Sequence, residues 1–149
     1  MTDKPLKKEF EVQWSDLDPN RHMRHSAYND YAAHMRLKIF EEAGINIKLM
    51  EELKIGPILF REETIFLREI GMQGNITLTV ALSKMREDGT RWSFYHEIFR
   101  PDGIKAAELN IDGAWLDLVQ RKLAHPPKEV VDLLKSMPKT ESFELSKAK

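Results

Sequence analysis

The stretch from Ile58 to Leu118 narrows the possible folds more than any other part of this chain. Four β-prone runs follow one another there, near Ile58–Leu67, Asn75–Met85, Thr90–Arg100 and Lys105–Leu118. In the second, Ile76, Leu78, Val80 and Leu82 alternate with Thr77, Thr79, Ala81 and Ser83, the period-2 pattern of a strand with one dry and one wet face. Glu87-Asp88-Gly89 and Pro101-Asp102-Gly103 fall between runs, where glycine supplies the positive φ that hairpin turns need. Gly71 and Gly74 mark a further turn. Strands joined this tightly pair antiparallel, because a parallel crossover needs a much longer connection.

Upstream, Phe10, Val12 and Trp14 alternate with Glu11 and Gln13, the signature of a half-buried strand. Ser26 is a suitable N-cap for a helix over residues 27–43, closed by Gly44. Tyr28, Ala32, Met35, Ile39 and Ala43 recur every three or four residues, with Tyr31 and Phe40 widening the stripe, so one face of this helix must be buried. A short helix over Ile47–Leu53 is expected to end at Gly56-Pro57. Pro126-Pro127 introduces a last helix over residues 128–136, with Val130, Val131, Leu133 and Leu134 on its apolar side. Residues 138–149 are charged and read as a flexible tail. The expected organisation is one α+β domain over residues 1–149, with its core over about 8–137. The outer face of its sheet also needs cover, which a second copy can supply.

A chain of 149 residues can bury a core, and 42% hydrophobic with 32% charged residues fits a folded protein rather than a disordered one. Twenty-three basic residues nearly balance 24 acidic ones, so no cationic field exists to recruit nucleic acid or an anionic membrane. With no cysteine there can be no disulfide, zinc–thiolate site or thiol nucleophile. No secretory h-region and no run of membrane-spanning length stand out, so a cytoplasmic location is expected.

The chemistry concentrates between the first strand and the long helix. Trp14-Ser-Asp16-Leu-Asp18-Pro-Asn-Arg21-His22-Met-Arg24-His25-Ser-Ala-Tyr28 carries two carboxylates, two histidines, two arginines and a tyrosine. Pro19 biases Asp18 towards an extended backbone. A few residues later the helix presents unpaired N–H groups and the positive end of its dipole. The residues alone leave two readings open. Asp18 is a reactive carboxylate facing those donors, or Asp16 and Asp18 are loop carboxylates satisfying turns.

The element order together with Asp16-x-Asp18-Pro19-x-x-His22-Met23 and the helix-opening Tyr28 resembles the hotdog fold. Within it, the chain resembles the 4-hydroxybenzoyl-CoA thioesterase-like family of acyl-CoA thioesterases. The resemblance implies an α+β fold in which an antiparallel β-sheet wraps a long central helix. It implies hydrolysis of a thioester to a free acid and CoA, without metal or other cofactor. Asp18 matches the catalytic carboxylate, acting as nucleophile or general base. Asp16 matches an aspartate that organises the loop, and Tyr28 the aromatic opening the helix. The backbone N–H near His25 matches the donor to the thioester carbonyl. Arg21 stands where the family has glycine, and Arg24 and His25 where it has two asparagines.

The remaining candidates follow from residue type. His25 is a substrate-facing donor in place of an asparagine, and His22, Arg24 and Asp16 are expected to contact substrate. Glu63, from the neighbouring strand, is a candidate to assist Asp18, whereas Glu62 or Glu63 pairing with Arg61 is the structural alternative. Arg21, Arg24, Arg36 and Arg68 suit CoA phosphates, or are simply solvated. His22-x-x-His25, with arginines interleaved and His34 further on, would repel a divalent cation, so no metal is expected. Phe94, Tyr95, Phe99 and Trp115 are core residues or an acyl-pocket lining. The leading expectation is an acyl-CoA thioesterase, dimer or dimer of dimers, acting on CoA or acyl-carrier-protein esters. The departures at Arg21, Arg24 and His25 keep open a non-catalytic hotdog module that binds such thioesters. A hotdog dehydratase fits less well, since His34 has no evident carboxylate partner.

Overall fold

The computed structural model describes residues 4–72 and 74–148. Alternation in the longest strands sets the architecture. Strands β1 (Leu6–Glu11), β2 (Ile55–Phe66), β3 (Asn75–Arg86), β4 (Arg91–Phe99) and β5 (Lys105–Asp117) form one antiparallel sheet in the order β1-β3-β4-β5-β2. Register lines up the apolar phases of three strands, so that Leu82, Phe94 and Ile111 form one row and Leu78, Ile98 and Ala107 another. These side chains are essentially inaccessible, and each large one contributes about 1.5–3 kcal/mol by leaving water.

Helix α1 (Ala27–Glu42) covers that face. Ala32 and Met35 are wholly buried, and Phe40 meets the Trp115 ring edge-on at 5.8 Å. Gly44 adopts φ 85° just beyond the helix, the left-handed conformation that a terminating glycine accepts without strain. Helices α2 (Ile47–Leu53) and α3 (Lys128–Ser136) close the ends of the layer. One long helix held against a mostly antiparallel sheet is the expected α+β hotdog architecture. Among the described residues no helix is long and apolar enough to cross a membrane.

Several expectations are corrected. The first strand stops at Glu11, and Trp14 lies in a 3-10 turn with 76% of its surface exposed, so its apparent alternation is not a strand face. Ala43 is exposed, beyond the last buried turn of α1. Lys54, in the left-handed conformation, ends α2, and Gly56 and Pro57 already belong to β2. Thr79 and Ala81, on the wet phase of β3, are buried as well. Residues expected to be a flexible tail include strand β6 (Lys139–Ser146), parallel to β3. Met137 is buried, Phe143 packs on the core, and the Leu82 N–H donates to the Pro138 carbonyl at 2.8 Å. Charged neighbours disguised that short apolar phase. Of the expected 1–149 domain, residues 1–3 and 149 lie outside the described residues, as does residue 73 of the Gly71–Gly74 turn.

One polar pair interrupts the dry layer. His96 sits between Val80 and Leu109 in the central row, fully buried, and Arg36 reaches it from α1. The His96 Nδ1–H donates to the Thr79 carbonyl (3.0 Å), which leaves Nε2 to accept from Arg36 Nη1 (2.8 Å). Burial first, and then the Arg36 charge, hold the imidazole down to about 3. An unfolded chain takes up the His96 proton below about pH 6.5, but the native state refuses it. Stability from this group is therefore intact above pH 6.5 and declines as pH falls towards 3, by at most about 1.4 kcal/mol per pH unit. Urea unfolding of wild type and His96→Gln between pH 7 and 4 is expected to show the gap between them closing as pH falls. A gap independent of pH would mean that His96 does not stay neutral.

Candidate active site

The loop between β1 and α1 is organised around Asp16. Its Oδ2 accepts from the Tyr31 hydroxyl at 2.6 Å, and its Oδ1 accepts from Arg24 Nη2 at 3.0 Å. Arg24 also donates from its backbone to the Asp16 carbonyl, 2.8 Å. Burial, then the bond to Asp16, push the Tyr31 phenol up to about 12, so it remains a donor at neutral pH. Arg24 further donates to the Ser26 hydroxyl, and the Ser26 side chain does not cap the helix as expected.

Within this frame the chain turns tightly. The Asp18 N–H donates to the His22 carbonyl (2.8 Å), and the Arg21 N–H to the Asp18 carbonyl (2.9 Å). Arg21 takes φ 64°, the left-handed conformation of the glycine it replaces, at a cost of about 1–2 kcal/mol. The Met23 N–H then anchors the loop to the Ile70 carbonyl at 2.7 Å.

Asp18 divides its carboxylate between two tasks. Oδ1 accepts from the backbone N–H groups of Asn20 (2.8 Å) and His22 (3.3 Å), while Oδ2 has no donor among the described residues. The carboxylate lines a cavity of about 330 Å³ with His22, His25, Tyr28, Phe66 and Glu69. Tyr28 is buried and meets Phe66 edge-on at 5.0 Å. Burial, then the Glu69 and Asp18 carboxylates, raise its phenol above the usual range. His22 Nε2 lies 3.2 Å from Glu69 Oε2. Among the described residues no group accepts from the backbone N–H of His25 or Ser26, at the start of α1. The cavity is thus lined by a carboxylate with one unpaired oxygen, by a buried tyrosine and by a residue, His25, whose amide has no acceptor among the described residues.

Asp18, His22, His25 and Tyr28 line one cavity. Asp16 and Arg24 do not line the cavity; they brace its loop from behind. Glu63 lies elsewhere, because strand alternation turns it to the sheet face away from α1. There it accepts from Asn110 (3.0 Å) and pairs with Arg61 (3.0 Å), the structural alternative. His34 packs on Phe10 outside the cavity. Phe66 and Glu69 are participants that sequence reasoning passed over; their mark was a charged pair, Arg68-Glu69, ending an apolar run. A larger open depression of about 570 Å³ adjoins the cavity across His22 and Glu69, bordered by Arg100 and Asp102.

The model of the thioesterase-like superfamily matches residues 12–134. The chain belongs to that superfamily, and by class it is a thioester hydrolase. Among solved structures it is similar to SAV2348 of Staphylococcus aureus, determined in complex with CoA (19% identity, 93% of this chain and 89% of that one, TM-score 0.82). It is also similar to Slr0204, a 1,4-dihydroxy-2-naphthoyl-CoA thioesterase from Synechocystis (11% identity, 89% and 97%, TM-score 0.79). A third is YbaW, a probable thioesterase of Escherichia coli (19% identity, 88% and 97%, TM-score 0.72). At these identities the likeness is one of fold. No curated protein matches the chain.

Removing the Tyr31 hydroxyl should release Asp16 and loosen the whole loop. Tyr31→Phe is expected to lose about 1.5–3 kcal/mol, the range for a hydrogen bond to a charged group, in urea unfolding at neutral pH. A loss below about 0.5 kcal/mol, the scatter of surface substitutions, would show that Asp16 is not the organising residue.

Proposed function

We propose that the protein hydrolyses acyl-CoA thioesters in the cytoplasm, with Asp18 as nucleophile or general base. The observation that carries this reading is that Asp18, whose Oδ2 has no donor among the described residues, lines one cavity with His25, whose backbone N–H at the opening of α1 has no acceptor among them. A thioester carbonyl held between them would meet a carboxylate on one side and an oxyanion donor on the other.

Two balanced routes use these groups. Asp18 Oδ2 can attack the carbonyl carbon, giving an oxyanion that collapses to a mixed anhydride and CoA thiolate; water then hydrolyses the anhydride. Alternatively Asp18 takes a proton from water as its oxygen attacks, and returns that proton to the departing thiolate. The N–H groups of His25 and Ser26 stabilise the oxyanion in both. The Tyr28 phenol and the His25 ring supply further donors to the substrate, and His22 holds Glu69 at the cavity wall. Arg68, at the rim, and Arg21 on the loop suit CoA phosphates. No cofactor is required by either route. The CoA complex of the Staphylococcus aureus neighbour and the activity named for the Synechocystis one support a CoA ester over a carrier-protein ester.

We read the working form as a homodimer or dimer of dimers. Strand β2 is an edge strand, and Leu59, Phe60, Ile65 and Phe66 on it are exposed apolar residues that pairing would cover. One observation favours the second reading, a module that binds acyl-CoA or acyl-carrier-protein thioesters without turnover. Asp18 Oδ1 is already committed to the turn, as in an ordinary Asx motif.

Thiol release from short, long and aromatic acyl-CoA esters separates the two, and the protein has no cysteine to add background. Turnover of at least one ester is expected, falling about 10²–10⁴-fold in Asp18→Asn. Undiminished turnover in the variant would remove Asp18 from the mechanism. Binding of the esters without release of thiol would establish the module.

A further inference from the structure

Asp18 cannot do alone what the covalent route asks of it. Once its Oδ2 is acylated, the carboxylate is no longer available, and the water that cleaves the mixed anhydride needs a different base. That water also needs its own way in, because the acyl group then occupies the Asp18 cavity.

One wall of the cavity meets both needs. His22 and Glu69 line the Asp18 cavity of about 330 Å³ and also the open depression of about 570 Å³ beside it. Both stand on loops, His22 before α1 and Glu69 beyond the end of β2, the strand whose edge the dimer reading uses. The loops are tied at this point, since the Met23 N–H donates to the Ile70 carbonyl at 2.7 Å. The His22 backbone N–H itself donates to Asp18 Oδ1 at 3.3 Å, so the imidazole belongs to a residue in direct contact with the carboxylate.

The ring is also oriented. Glu69 Oε2 lies 3.2 Å from His22 Nε2, which favours the tautomer protonated on Nε2 and leaves the Nδ1 lone pair free. Nδ1 has no partner among the described residues. His25 lines the same cavity but has no ion-pair partner among them. The His22 and Glu69 side chains are 39% and 75% exposed, so their pairing adds little to stability. What it supplies is orientation, in contact with bulk water. A nucleophile beside a base that a third group orients is the logic of the catalytic triad.

We propose that His22, oriented by Glu69, is the base of the second half-reaction, and that Asp18 is the nucleophile of the first. The proposal rests on the thioesterase reading. In the first half, Asp18 Oδ2 bonds to the acyl carbon and the C–S bond breaks, releasing CoA thiolate. In the second, water entering from the depression attacks the acyl carbon while His22 Nδ1 takes its proton. The bond from the acyl carbon to Asp18 Oδ2 then breaks, which frees the acid and restores the carboxylate. The imidazolium gives its proton to the CoA thiolate. His22 is thus a catalytic residue and Glu69 a positioning residue.

The test is rapid-mixing thiol release by the purified full-length protein from butyryl-, palmitoyl- and benzoyl-CoA, using whichever ester wild type turns over. His22→Ala is expected to release a burst of about one thiol per chain, then to turn over about 10²–10⁴-fold more slowly than wild type. Mass spectrometry should find the acyl group on Asp18 during that slow phase, and added imidazole should restore part of the rate. Glu69→Gln, a change of an exposed side chain, should show the same burst with a smaller loss. Unchanged steady turnover in His22→Ala, loss of rate without a burst or adduct, or no recovery with imidazole would overturn the proposal and leave the thioesterase reading standing. Release of no thiol by wild type from any of the esters would overturn both.

Discussion

Everything at this site depends on the burial of one helix stripe against three strand rows. Ala27, Tyr28, Tyr31, Ala32, Met35 and Ile39 cannot remain in water, and the rows of β3, β4 and β5 offer the matching dry face. Once that contact forms, the start of α1 is fixed in space, and its unpaired amides with it. The preceding loop, residues 12–26, must then run from β1 to that fixed point. Asp16, gripped by Tyr31 from the helix and by Arg24 from the loop itself, translates the position of the helix into that of Asp18. Packing energy places the donors, and a charge-assisted hydrogen-bond cluster places the carboxylate.

The loop accommodates its unusual residues without losing its shape. Arg21 takes up the left-handed backbone that glycine would hold freely, because bonds on either side, Asp18 to His22 and Met23 to Ile70, over-determine it. Arg24 and His25 do different work from each other. Arg24 turns inward to Asp16 and Ser26, whereas His25 stays at the cavity rim. The first makes the loop stiffer, and the second leaves a donor facing the substrate side.

Much of this was legible in the sequence, and the failures have physical causes. Period-2 alternation located β3, whose apolar phase is continuous, the glycine-bearing turns located the strands that follow it, and the three- and four-residue spacing located α1. The motif from Asp16 to Tyr28 identified the cavity's near wall. What it could not give was the direction of Glu62 and Glu63, because a register shift between Leu59 and Arg61 changes which phase of β2 faces the helix. Trp14 misled because its apolar ring continued a strand pattern that the backbone had already left. Strand β6 stayed hidden because Phe143 is its one well-packed residue among charges. The Arg36–His96 pair was discoverable: both residues interrupt apolar phases, His96 between Phe94 and Ile98, and Arg36 beside Met35. In the sequence Arg36 reads as solvated or phosphate-facing, whereas in the fold it is buried against His96.

The most direct test of the central claim is a crystal structure with a non-hydrolysable acyl-CoA analogue that keeps the carbonyl. The carbonyl oxygen should lie within about 3.2 Å of the His25 or Ser26 N–H, and Asp18 Oδ2 about 3–3.5 Å from the carbonyl carbon or bridged to it by one water. A carbonyl bound away from the start of α1, with both Asp18 oxygens held by the loop, would contradict it.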